Sequence, residues 1–252
     1  MEKILNELAN KKNVKLLFAC ETGSRAWGFP SPDSDYDVRF IYMHERDWYL
    51  SLAQRKDTLE QMDGDLDITG WDLKKCLQLL KKSNAPLIER FQSPIVYYAD
   101  ESFKTAFQDL IKLYYSPTAV FFHHYSLAQK FWNELEGKRE KKLKSYFYLI
   151  RSLLSCNWII QDKTVLPMDI EGLMVKIDSH RRDELRELIK LKSTVGEKYF
   201  HPANDSLNEW IAKMFILLEQ SKNHRGVSDQ NMQALDDFFI KTLNSYADNR
   251  TS

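Results

Sequence analysis

What the chain lacks excludes several classes of protein. Its three cysteines, Cys20, Cys76 and Cys156, are an odd and scattered set, each within an apolar segment. They form neither a disulfide framework nor the paired spacing of a metal site. Buried free thiols in a reducing compartment are the expectation. No sign of charge predominates: Lys+Arg and Asp+Glu stand at 36 each. No global field therefore draws the chain to duplex DNA or to an anionic membrane, and any basic site must be local. No apolar run approaches the ~20 residues that span a bilayer. The opening Met-Glu-Lys-Ile-Leu-Asn-Glu has no signal-peptide apolar region. The expectation is a soluble cytoplasmic protein with no membrane partner. Internal repeats and low-complexity tracts are absent too, and strand signals largely vanish after residue 100.

What is present is enough to fold. Of 252 residues, 43% are apolar, so a substantial core can be buried, as one large domain or two smaller ones. Ile4, Leu5 and Leu8 fall at helical spacing within 2–12. Val14 to Cys20 is a continuous apolar run ending at a Gly-Ser turn, which suits a buried strand. Residues 35–43 alternate: Tyr36, Val38, Phe40 and Tyr42 take one face and Asp35, Asp37 and Arg39 the other. Residues 44–62 read as a connector with an approach strand near 58–62. Asp65 to Trp71 reads as the third principal strand, with Asp65, Asp67 and Thr69 opposite Leu66 and Ile68. Asp72 then caps a helix carrying Leu73, Cys76, Leu77 and Leu80, and a short helix follows over 86–91. Beyond 100, helix-compatible spacing covers 101–113, 117–136, 138–161, 169–178, 181–194, 204–222 and 229–246. The expected organisation is an α/β domain over 1–115 and an all-α domain over 116–252.

Residues 21–40 carry the chemistry. Gly23-Ser24 closes the first strand, and Asp35-Tyr36-Asp37 opens the second. Alternate residues of a strand lie roughly 6–7 Å apart on one face, and two carboxylates so placed repel unless a cation sits between them. Ordinary turn chemistry accounts for Pro-Ser-Pro-Asp-Ser-Asp, but not for carboxylates that continue into an apolar strand on one parity. A calcium loop beginning at Asp33 needs Gly at its sixth position and Glu at its twelfth; Val38 and His44 stand there. The remaining reading is a phosphate-and-metal site. Backbone N–H groups at the Gly-Ser turn form an anion cradle, and the strand carboxylates hold Mg²⁺ ions that bind triphosphate oxygens. A third carboxylate on a neighbouring strand completes a two-metal arrangement. Asp67, mid-strand between Leu66 and Ile68, is the best candidate, with Asp65 and Asp72 as rivals.

Gly23-Ser24, ten residues, then Asp35-Tyr36-Asp37 resembles the signature of the DNA polymerase beta-like nucleotidyltransferase superfamily. Gly-Ser-Arg-Ala-Trp-Gly followed by Asp-Ser-Asp-Tyr-Asp is similar to its minimal bacterial members. Patches at Gly70–Lys75, Lys82–Asn84, Ser93–Tyr97 and Lys144–Arg151 resemble a narrower group of predicted bacterial nucleotidyltransferases associated with RNA-repair gene neighbourhoods. The resemblance implies an α+β fold: a polymerase-beta-like α/β core with a mixed sheet, then an all-α C-terminal domain. It implies transfer of a nucleoside monophosphate from an NTP to an acceptor hydroxyl, with release of pyrophosphate. Two Mg²⁺ (or Mn²⁺) ions would serve as cofactors. Gly23 and Ser24 would contact the β- and γ-phosphates, Asp35 and Asp37 would bind metal, and Asp67 would bind the catalytic metal and help deprotonate the acceptor.

Arg25 is a candidate phosphate contact or a surface arginine. Arg39 shares the parity of the aspartates and reads as their neutralising partner. Lys144, Tyr148 and Arg151 lie four and three apart on one helical face, where a ring flanked by cations can stack a base and hold triphosphate; otherwise the segment is a solvated basic face. His123-His124 lack a third ligand at metal spacing. The partners expected are an NTP and an acceptor that is an RNA 3′ end, a small molecule or a protein hydroxyl. The alternatives are an inactive nucleotidyltransferase-like binding or antitoxin module, which should lose metal ligands that this chain retains, and a metal-dependent nuclease or phosphatase, which the Gly-Ser element disfavours.

Overall fold

The computed structural model describes residues 1–222 and 231–247. Those residues divide into two compact units, one formed by 1–23, 35–115 and 231–247 and the other by 24–34 and 116–222.

The first unit is built on a five-stranded mixed sheet in the order β3-β4-β2-β1-β5. Its strands are β1 Lys15–Thr22, β2 Tyr36–Met43, β3 Thr58–Asp63, β4 Leu66–Asp72 and β5 Val96–Ala99. Only β2 and β4 run parallel; β1 pairs antiparallel with β2 and β5, and β3 with β4. The alternation read from 35–43 is realised. Val38, Phe40, Tyr42 and Ile68 turn to one face and pack with Leu5 and Leu8 of helix α1 Glu2–Lys12. On the other face Phe18 stacks on Phe91 at 4.7 Å, and Phe91 on Phe107 at 4.5 Å. Burial of such rings is the main stabilising term here, about 1.5–3 kcal/mol for each fully buried side chain. Phe91 and Phe107 come from the end of α5 Ala85–Arg90 and from α6 Glu101–Tyr114.

Local chemistry sets the helix starts. Asp72 caps α4 Leu73–Lys81 by accepting from the Lys74 N–H, and Asn84 caps α5 by accepting from the Leu87 N–H, with Pro86 in the first turn. Two short helices lie between strands, α2 Gly23–Ala26 directly after β1 and α3 Arg46–Tyr49 in the connector after β2. β5 is a four-residue edge strand, too short to produce a periodic signal.

The second unit comprises α7 Pro117–Leu135, α8 Leu143–Asp162, α9 Ile170–Met174, α10 Ser179–Lys192 and α11 Asp205–Gln220. A two-stranded ribbon, β6 Glu140–Lys142 with β7 Phe200–Pro202, interrupts the helices. The helix expected over 138–161 therefore begins at Leu143, because 140–142 are committed to a partner some 60 residues away in sequence. The helix expected over 169–178 is only five residues long, since Asp178 caps α10 and ends the preceding segment.

A single cut near 115 leaves two segments on the wrong side. Helix α12 Gln233–Ala247 belongs to the first unit, where Phe238 packs on Phe103 and Phe107 and Phe239 lies edge-on to Tyr49. Residues 229 and 230 of the helix expected there lie outside the described residues. Residues 24–34, inside the signature itself, belong to the second unit. In both cases aromatic contacts with distant residues decide membership. Among the described residues no helix is long and apolar enough to cross a membrane.

Candidate active site

β2 and β4 pair in register with Asp37 beside Asp67 and Arg39 beside Thr69. Neighbouring strands are about 4.8 Å apart, so two unscreened carboxylates at this position would repel. Arg39 resolves the conflict. Its Nη2 donates to Asp37 Oδ1 and to Asp67 Oδ2, both at 2.8 Å, and its Nη1 donates to the carbonyls of Val38 and Asp67 at 3.0 Å. Thr69 Oγ1 donates to Asp67 Oδ1 at 3.3 Å. The side chains are 30% exposed for each aspartate and 19% for Arg39, so the cluster is open to solvent on one side.

Gly23 adjoins the cluster. Thr22 pairs with Asp37 across β1 and β2, and its hydroxyl donates to the Asp37 carbonyl at 3.2 Å. Gly23 has φ +68°, and a Cβ there would lie 2.0 Å from Asp37 Oδ2. The carboxylate occupies the space that any side chain would fill, so this position requires glycine on both conformational and steric grounds.

The other predicted carboxylates are placed differently. Asp35 precedes β2 by one residue and is exposed, and its side chain has no hydrogen bond or ion pair among the described residues. Asp65 lies in the β3–β4 turn, where its carbonyl accepts the Tyr36 N–H at 2.8 Å. Asp72 lies five residues beyond Asp67 along β4. It is 1% exposed and accepts from the Tyr49 hydroxyl at 2.7 Å and from the Lys74 N–H at 2.8 Å. Of the three candidates for a third carboxylate, Asp67 is the one gathered with Asp37.

Asp72 yields a separate expectation. Burial pushes its carboxyl up from an ordinary 3.8 to about 6. The folded chain then holds a proton that the unfolded chain releases, so the contribution of Asp72 to stability is greatest below about pH 4 and falls as pH rises toward 6. The full effect is on the order of 3 kcal/mol. Asp72→Asn removes this slope, measured by denaturant unfolding at intervals from pH 4 to 7; a slope that persists in the variant assigns it to another group.

The second unit holds the remaining predicted residues. Ser24 is 5% exposed, and its hydroxyl donates to Ser34 Oγ at 3.0 Å. Arg25 is half-buried. On α8, Lys144 forms an ion pair with Glu197 and lies 5.9 Å from the Tyr148 ring centre. Tyr148 meets Trp27 and Phe131 edge-on, each at 5.3 Å. Arg151 is 5% exposed, with its guanidinium 4.4 Å from the Trp27 ring and its Nη2 donating to the Met168 carbonyl at 2.9 Å. One face of α8 thus carries all three residues, and Tyr148 and Arg151 pack against the loop that follows Gly23. His124 is buried, and desolvation holds its pKa well below the ordinary 6.5. Glu197 and Lys192, which tie the same loop, belong to no motif and gave no signal in the sequence.

Three carboxylates are a hard-oxygen donor set of the kind Mg²⁺ takes, and Arg39 shows that two of them accept a cation between them. Among the described residues no three His, Cys, Asp or Glu side chains are drawn together closely enough to hold a metal as they stand.

The signature that resembles polymerase-beta-like nucleotidyltransferases thus folds with Gly23 at the end of β1 against Asp37, and with Asp37 beside Asp67 on the parallel strand β4. Residues 1–241 match RlaP, the RNA repair pathway DNA polymerase beta family. YcgL, an uncharacterised protein of Bacillus subtilis, is 37% identical over 252 residues, covering 96% of each chain. An uncharacterised protein of Methanocaldococcus jannaschii is 22% identical over 224 residues, covering 85% of this chain and 87% of that one. A crystal structure of a nucleotidyltransferase-like protein from Exiguobacterium sibiricum aligns with a TM-score of 0.32 and 9% identity, over 97% of this chain and 80% of the other. The chain belongs to the RNA repair pathway DNA polymerase beta family. Membership supports nucleotidyl transfer at the level of class.

Proposed function

We propose that the protein is a Mg²⁺-dependent nucleotidyltransferase that moves a nucleoside monophosphate from an NTP to an acceptor hydroxyl. The observation that carries this reading is the Asp37–Arg39–Asp67 cluster beside Gly23. It supplies two strand carboxylates with a cation between them and a turn whose glycine leaves room for the Asp37 carboxylate. Asp35, Asp37 and Asp67 would hold the metal ions, which supply charge neutralisation of the polyphosphate. The acceptor oxygen forms a bond to the α-phosphorus as the bond from that phosphorus to the bridging oxygen breaks. Pyrophosphate departs with that oxygen, and the hydroxyl proton passes to Asp67. Gly23 N–H, Ser24 and Lys144 are the proposed polyphosphate contacts, and Arg25 and Tyr148 the further nucleotide contacts.

The acceptor class is an RNA 3′ end, a small molecule or a protein hydroxyl, in the cytoplasm. The deciding experiment incubates the protein with each labelled NTP, Mg²⁺ or Mn²⁺, and these acceptors in turn. Asp67→Asn should lower turnover by about 10²-fold, as removal of a group acting in the transition state does, while NTP affinity changes far less. Should Asp65→Asn or Asp72→Asn be the inactive variant instead, the assignment of Asp67 fails.

One observation favours a second reading. Because Arg39 already bridges Asp37 and Asp67, an inactive binding or antitoxin module would need no metal there. Calorimetric titration with Mg²⁺ and NTP separates the two readings, since the inactive module gives no metal-dependent NTP binding.

A further inference from the structure

The loop 24–34 is tied within its own unit by a residue that no motif contains. Glu197 follows α10 in the turn before β7. Its Oε1 accepts from the Ser34 hydroxyl at 2.7 Å, and Ser34 Oγ in turn accepts from the Ser24 hydroxyl at 3.0 Å and from the Ser31 N–H at 2.9 Å. Its Oε2 pairs with Lys144. Its backbone N–H donates to Asp33 Oδ1 at 2.8 Å. Lys192 stands beside it: 1% exposed, with Nζ 3.8 Å from Glu197 Oε1 and donating to Ser31 Oγ at 2.7 Å. Four loop residues, Ser24, Ser31, Asp33 and Ser34, are therefore fixed directly or through one hydrogen bond by Glu197 and Lys192.

A hydroxyl rotates to suit its acceptor, so the direction of the Ser24 O–H is set by its acceptor Ser34 Oγ, and that of the Ser34 O–H by Glu197. The carboxylate also fixes Lys144, whose flexible four-carbon stem would otherwise sample many positions. Charged hydrogen bonds of this kind are worth more than neutral ones, and the Glu197 side chain is only 16% exposed, so water competes weakly.

We propose that Glu197 is a positioning residue for polyphosphate recognition, holding the Ser24 hydroxyl and the Lys144 ammonium in one fixed arrangement. This rests on the reading of Ser24 and Lys144 as polyphosphate contacts. Glu197 touches no substrate in this scheme; it acts through Ser34 and Lys144.

The test uses the whole chain, inorganic tripolyphosphate with Mg²⁺ as the probe, and two readouts. Glu197→Gln keeps an acceptor for Ser34 and loses the charge that holds the lysines; Glu197→Ala loses both. Amide hydrogen exchange over 24–34 should quicken by about tenfold in Glu197→Gln, and the tripolyphosphate Kd should weaken by about tenfold, the loss expected for one charged hydrogen bond. Glu197→Ala should show larger changes. Ser34→Ala, which disturbs no charge, should quicken exchange as well and guards against an alanine variant at 197 that fails to fold. Unchanged exchange in Glu197→Gln overturns the proposal, and so does faster exchange with unchanged tripolyphosphate affinity, which would make Glu197 a structural tie alone. If the unmodified protein does not bind tripolyphosphate, the polyphosphate reading of Ser24 falls, and the exchange comparison still decides whether Glu197 fixes the loop.

Discussion

Replacing Asp35 and Asp37 together by alanine is expected to abolish divalent-cation-dependent nucleotide transfer while leaving the protein folded. The two residues contribute little to stability. Asp35 is exposed with no side-chain partner among the described residues, and Asp37 is 30% exposed. Without Asp37, Arg39 still has Asp67 and two backbone carbonyls to bond. The loss on folding is about 1–2 kcal/mol, the scale of partly solvated hydrogen bonds to a carboxylate. The loss in transfer is of another order. Removing one preorganised electrostatic group costs about 10²–10³-fold, and here two of the three proposed metal ligands go. Label incorporation and thermal unfolding on the same preparation check both halves. Transfer at the unmodified rate would remove Asp35 and Asp37 from the site; a variant that does not fold would show that the pair is structural.

Gly23→Ala is expected to be the most damaging single methyl group in the motif. A left-handed residue other than glycine costs roughly 1–2 kcal/mol, and that penalty alone applies equally at Gly64, which has φ +56° with nothing within 4 Å of a Cβ. At Gly23 the added carbon also falls 2.0 Å from Asp37 Oδ2. The carboxylate must swing away, and its bond to Arg39 goes with it. Gly64→Ala should therefore lose only about 1 kcal/mol and keep transfer. Gly23→Ala should lose two to three times as much stability, and transfer by about 10²-fold as an electrostatic group is misplaced. Denaturant midpoints and transfer rates of the two variants, taken side by side, make the comparison. Equal midpoint shifts would show that backbone strain alone, and not the approach of Asp37, demands the glycine.

Much of the first unit was legible from local pattern. The alternation of Tyr36, Val38, Phe40 and Tyr42 against Asp37 and Arg39 is a property of consecutive residues, and a pleated strand converts it directly into two faces. The same holds for Asp72 and Asn84, whose side chains reach N–H groups two or three residues ahead. Arg39 shares the parity of the aspartates, which points to it as their neutralising partner, and it pairs with Asp37 and Asp67. The β6–β7 ribbon was not legible, because three residues at 140–142 have no periodicity of their own and become a strand only by pairing with 200–202. Nor was the return of α12 to the first unit, since its apolar stripe specifies burial without naming a partner.

The amino-acid sequence by itself determined the faces of β2, the faces of β4 and the starts of the capped helices. All of these depend on residues within a few positions of one another, where backbone geometry alone dictates which groups meet. Tertiary structure decided the rest. It chose Asp67 over Asp65 and Asp72 as the neighbour of Asp37, because the register of the parallel pair joins residues 30 positions apart in the chain. It committed Arg151 to Trp27 and Met168, and it assigned the loop 24–34 to Glu197 and Lys192, some 160 residues away in sequence. Such pairings carry no local signature, since a carboxylate and a lysine look the same in sequence whether they face water or each other.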